Sequence, residues 1–70
     1  MSEQRIQVLV NQISTQLTAP AYLSDAIAAA NIKPPFAAAV NLQFVPKKNY
    51  ASHALQAGDN IELIVPVTGG

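Results

Sequence analysis

The chain has 70 residues, half of them hydrophobic, with no cysteine and a formal net charge of zero. A single domain of this size buries only about 60% of its unfolded surface, and the lack of cysteine excludes disulfides, thiolate metal sites and a cysteine nucleophile. The four basic residues, Arg5, Lys33, Lys47 and Lys48, form no stripe, which argues against nucleic acid as a partner.

The first residues, 1–4, read as a disordered lead. Ile6, Val8 and Val10 then alternate with Gln7 and Leu9, the period of a half-buried strand. Asn11-Gln12 is a candidate tight turn, and Ile13 to Leu17 would return antiparallel. Asn tolerates positive φ, but Gln12 is not the usual Gly, so the turn type stays open. Leu23, Ala26, Ile27 and Ala30 fall at helical spacing. Asp25 near the start suits the helix dipole, Asn31 can close the helix, and Pro34-Pro35 prevent continuation. Phe36 to Asn41 and Gln43 to Val45 read as two short strands around a turn at Asn41-Leu42. Lys47 to Leu55 is irregular, with room for one helical turn and with Tyr50 and Leu55 as anchors. Ala57-Gly58-Asp59-Asn60 is a strong turn signal. In the last strand Ile61, Leu63 and Val65 point one way, Glu62 and Ile64 the other.

A hairpin, a helix and further strands predict an α+β domain, a mixed sheet of four to five strands with one main helix on one face. If the last strand lies beside the first and parallel to it, the arrangement is the β-grasp. Ile6, Val8, Val10, Ile61, Leu63 and Val65 would then pack against Leu23 and Ile27. The chain reads as one domain over residues 1–70. Residues 67–70 read as a mobile functional tail. A Gly-Gly terminus arises by chance in only about 0.5% of chains, and glycine is the residue most expensive to order.

Several segments resemble the ThiS family of sulfur carriers in thiamin biosynthesis, which are β-grasp (ubiquitin-like) proteins. They are "VLVN" at 8–11, "AVNLQFVP" at 39–46, "YASHALQAGDNIEL" at 50–63 and the terminal Gly69-Gly70. Leu42 departs from the Gly or polar residue frequent in that turn. The ending "IVPVTGG" is also similar to the small subunit of molybdopterin synthase, which keeps that reading open beside a ubiquitin-like protein modifier.

The resemblance implies a co-substrate and not an enzyme, with no permanently bound cofactor and no metal. Its functional group would be the carboxylate of Gly70, a poor electrophile when ionised at neutral pH. An adenylyltransferase resembling ubiquitin-activating enzymes would consume ATP to activate it. Sulfur, with a cysteine desulfurase as one source, would then give a thiocarboxylate, and a thiazole synthase would receive it. Val67, Thr68 and Gly69 would form the reach of the tail, glycine entering a narrow channel because it has no side chain. No catalytic residue of the chain's own is expected.

Alternation alone yields one more expectation. Leu9 and Ile64 face away from the core, and Ala37 or Ala39 would extend them into an apolar docking patch near the tail. Partner docking is thus assigned to Leu9, Ala39 and Ile64, against a background of scattered surface apolars that need no explanation. His53 reads as a surface or structural residue and Gly58-Asp59 as a turn. Tyr50 reads as a core-edge aromatic. Lys47-Lys48 reads as a solvated pair, with steering of acidic partners as the other reading. No signal peptide is visible and the apolar runs fall short of a membrane span, so a cytoplasmic protein without membrane contact is expected.

Overall fold

Two hairpin turns organise the sheet, and both use an asparagine at their first central position. In a computed structural model that describes residues 4–66, β1 (Arg5–Val10) and β2 (Ile13–Thr18) are joined by Asn11-Gln12. The later strands β3 (Ala37–Val40) and β4 (Gln43–Val45) are joined by Asn41-Leu42. All four turn residues have positive φ: Asn11 51°, Gln12 67°, Asn41 52° and Leu42 71°. Positive φ at both central residues is the type I′ signature, whose twist matches that of the flanking strands. Gln12 and Leu42 therefore occupy a backbone region that L-residues enter only at some cost.

Between the hairpins lies α1 (Leu23–Ala30). The backbone N–H of Tyr22 donates to Asp25 Oδ2 at 2.8 Å, so the acidic residue of the first turn holds the entry of the helix. The free N–H groups of Leu23 and Ser24 donate to the carbonyls of His53 and Tyr50, each at 2.9 Å. The connection after β4 thus satisfies the donors that every helix leaves unpaired at its start. Asn31, at φ 56° in the left-handed region, closes the helix and donates to the carbonyls of Ile27 and Ala28. A short 3₁₀ turn, Lys47–Asn49, begins that connection, and the N–H of Leu55 donates to Ala21 O at 2.8 Å. Gly58, at φ 89°, makes the turn into β5 (Asn60–Ile64).

The strand order is β2-β1-β5-β3-β4. The last strand lies at the centre, parallel to β1, with Val10 beside Ile61, and antiparallel to β3, with Ala38 beside Leu63. This is the β-grasp arrangement that the element order predicts. The core gathers Val8, Val10, Ala38, Val40, Val45, Ile61 and Leu63 of the sheet against Leu23 and Ala26 of the helix and Leu55 of the connection. Each large aliphatic buried here contributes roughly 1.5–3 kcal/mol.

Four particulars differ from the sequence expectation. Val65 does not join the inward set: β5 ends at Ile64 and Val65 is 51% exposed. The ladder ends there because Ala37 is the first residue of β3, beside Ile64, and the prolines at 34, 35 and 66 carry no N–H to extend it. Phe36 lies outside β3 and stacks on Tyr50, with ring centroids 5.8 Å apart and planes 10° from parallel. Ile6 and Ile27 are only partly buried, at the margin of the core. Gln4, placed in the lead by sequence, accepts a hydrogen bond at its carbonyl from Ala19 N–H at 2.7 Å.

Candidate functional site

The sheet carries the helix on one face only, so alternation along each strand decides which side chains stay uncovered. On β1 the buried Val8 and Val10 leave Leu9 on the open face, 39% exposed. On β5 the buried Ile61 and Leu63 leave Glu62 and Ile64 there, Ile64 being 57% exposed. On β3 the buried Ala38 and Val40 leave Ala37 and Ala39. Leu9, Ala39 and Ile64 therefore share the helix-free face, as alternation requires.

They do not form one contiguous cluster. Leu9 is level with Asn60 in the parallel register, and Ile64 lies four residues further along β5, about 13 Å at the rise of a strand. Glu62 stands between them. Ile64 is beside Ala37, and Ala39 is flanked by Glu62 on one side and Phe44 on the other. The apolar ground at the far end of β5 is thus Ile64, Ala37, Ala39 and Phe44. Phe44 is 70% exposed, and the sequence reading did not assign it. The signal was present: if Val45 faces inward in a three-residue strand, Phe44 must face outward.

This end of the face leads to Pro66. Pro35, Phe36 and Ala37 form, with Ile64 and Pro66, a shallow groove of about 270 Å³ at the end of the strand. Val67, Thr68, Gly69 and Gly70, assigned to the tail and the reactive group by sequence, lie outside the described residues.

The strand that leads to them is held on both sides, near its end and at its start. Asn11 Oδ1 accepts from Leu63 N–H at 2.8 Å and Asn11 Nδ2 donates to Leu63 O at 3.3 Å. Asn41 Oδ1 accepts from Asn60 N–H at 2.9 Å, while Asn41 Nδ2 donates to Asp59 Oδ1 at 3.1 Å. Asp59 Oδ2 in turn accepts from Gln56 N–H at 2.8 Å, which is the turn role expected of Gly58-Asp59. The two hairpin turns thus grip the central strand through their asparagine side chains.

Among the described residues no polar or charged side chain is fully buried. No group of three or more His, Asp or Glu side chains stands together as a metal site there. No helix among them is long and apolar enough to cross a membrane. His53 sits in the connection, its carbonyl holding the helix start.

The fold and this face define a small β-grasp domain with an apolar open face and a central last strand leading to the chain's end. The family model of the ThiS family matches residues 7–70. The chain belongs to the ThiS family. Among solved structures it is similar to a thiamine biosynthesis protein, ThiS, from Geobacter metallireducens. That match has a TM-score of 0.71 at 14% identity and covers 93% of this chain and 100% of that one. Among curated proteins none matches.

Proposed function

We propose that this protein is a sulfur carrier of thiamin biosynthesis, a co-substrate and not an enzyme, whose reacting group is the carboxylate of Gly70. The observation that carries the reading is the family match, which runs through the whole last strand and the Gly69-Gly70 end. The carboxylate attacks the α-phosphorus of ATP in the site of an adenylyltransferase and pyrophosphate leaves. A sulfide equivalent from a donor protein then displaces AMP, and the thiocarboxylate formed donates its sulfur to the thiazole ring as a synthase builds it, which returns Gly70 to the carboxylate. The chain itself contributes position. β5 is held centrally in the sheet, so residues 67–70 start from a fixed point, and Gly69-Gly70 present no side chain to a partner's channel.

The open face serves as the docking surface. Ile64, Ala39 and Phe44 provide the apolar contact nearest the tail, and Leu9 a second contact beyond Glu62. Apolar ground with a polar rim is the usual composition of such interfaces. Activation in a cytoplasm supplied with ATP completes the reading.

The test is an intact mass of protein taken from cells making thiamin, with alkylation of the product. Sulfur for oxygen adds about 16 Da, the same as oxidation of Met1, so the alkylated residue is mapped. Alkylation at Gly70 is the expected result. Unmodified carboxylate after incubation with ATP, a sulfur source and the adenylyltransferase would remove the main support.

A further inference from the structure

A second concavity lies at the end of α1, next to the groove at the end of β5. It has a volume of about 430 Å³, within the size range of ligand pockets. Ile27 and Ile32, at the end of α1 and just after it, form one wall. Pro34 and Pro35 with the stacked rings of Phe36 and Tyr50 form the other, and Lys47 stands at the margin.

Its charge is one-sided. Lys33 lies between Ile32 and Pro34 in the chain, and Lys48 follows Lys47, so three of the chain's four basic residues are in or next to the wall. All three lysines are exposed. None of the described carboxylates lines the pocket. Asp25 is engaged by Tyr22 N–H and Asp59 by Gln56 N–H and Asn41, and Glu62 faces the opposite side of the sheet. Lys47 is thus the one described charged side chain that lines this apolar, aromatic-walled recess, and Lys33 and Lys48 adjoin lining residues in the chain. The fitting occupant has an apolar side chain to fill the recess and carboxylates on both sides of it.

We infer that this pocket docks an acidic segment of a partner protein, with an aromatic or aliphatic side chain seated against Phe36 and Tyr50 and its carboxylates facing Lys33, Lys47 and Lys48. Pro35 and Phe36 are shared with the groove that reaches Ile64 and Pro66, so the two recesses adjoin. The inference stands on the pocket and its charges and is independent of sulfur chemistry at Gly70.

The test is a nitrogen-15 NMR titration of the full chain with a synthetic peptide in which Trp-Leu is flanked by two acidic residues on each side. Shifts are expected at Ile27, Ile32, Phe36, Lys47 and Tyr50. Affinity should fall roughly tenfold between low and 0.3 M salt, as screening predicts. A combined Lys33→Gln, Lys47→Gln, Lys48→Gln variant, altered only at exposed positions, should lose a similar factor while its unliganded spectrum stays that of a folded chain. The same peptide with Asn and Gln in place of its acidic residues should bind at least several-fold more weakly. Equal binding of that neutral peptide, shifts confined to Leu9, Phe44 and Ile64, or no shifts at millimolar peptide would overturn the inference. Lysine-dependent binding to phosphatidylserine vesicles without peptide shifts would assign the charge to a membrane surface and also overturn it. Any of these failures leaves the Gly70 mass measurement unaffected.

Discussion

Asn11 holds Leu63 with both ends of its side-chain amide, accepting from the Leu63 N–H and donating to the Leu63 carbonyl. β1 has already turned away at this point, so the amide replaces the next rung of the β1–β5 ladder. One residue thereby closes the first hairpin through its positive φ and fixes the last strand three residues before Pro66. On the other flank Asn41 accepts from the Asn60 N–H and donates to the Asp59 carboxylate.

Asn11→Ala removes both bonds and leaves the backbone groups of Leu63 without that partner. A loss of about 1–3 kcal/mol is expected, with Gly at the same position losing less than Ala relative to its turn geometry. Urea denaturation compares the three proteins, and equal midpoints for wild type and Asn11→Ala would count against the grip on Leu63.

Gln12 and Leu42 sit at φ 67° and 71°, where a side chain is strained. Gln12→Gly and Leu42→Gly should each raise stability by about 0.5–1 kcal/mol, less than the full left-handed penalty because glycine also loosens the unfolded chain. Leu42 is 83% exposed, so no packing is lost with it. Thermal unfolding reads the gain as an increase in Tm of several degrees for a domain of this size.

Leu23 and Ile61 are fully buried, one on each side of the helix–sheet interface. Leu23→Ala or Ile61→Ala should lose about 2–5 kcal/mol through removed contacts and the cavity left behind. A small domain has little more than that in total, so a large unfolded fraction is expected at room temperature, readable by circular dichroism.

Phe44 and Ile64 are exposed and outside the core, so Phe44→Ser and Ile64→Ser should leave unfolding midpoints almost unchanged. If the open face docks the adenylyltransferase, each should lower kcat/KM for ATP-dependent activation by roughly tenfold, the scale of a buried apolar anchor at an interface. Leu9→Ser, set apart beyond Glu62, should have the smaller effect. Activation rates unchanged in all three variants would move docking to another surface.

The helix from Leu23 to Ala30, its stop at Asn31, both two-residue hairpins and the turn at Gly58-Asp59 were legible in the sequence. Each depends on local geometry: a 3.6-residue spacing, a residue tolerant of positive φ, or a proline without an N–H. The facing of Leu9, Ala39 and Ile64 followed from alternation for the same reason. Alternation turns Val65 inward because it carries no information on where a ladder stops. That depended on the partner strand, which begins only at Ala37. Local pattern likewise extends the strand to Phe36, since its ring partner Tyr50 is remote in sequence.

By itself the sequence determined the kind, order and inward faces of the elements, and the family to which their motifs belong, because these rest on short-range periodicity and on residue types at fixed positions. Tertiary structure alone decided that Asn11 and Asn41 grip the central strand and that Phe44 joins Ile64 while Leu9 stands about 13 Å away along the sheet. It also brought Lys47 and Tyr50 to the pocket formed by Ile27, Ile32 and Phe36. These are relations between segments distant in the chain, set by strand register and by the side on which the helix packs, and no local pattern encodes a register.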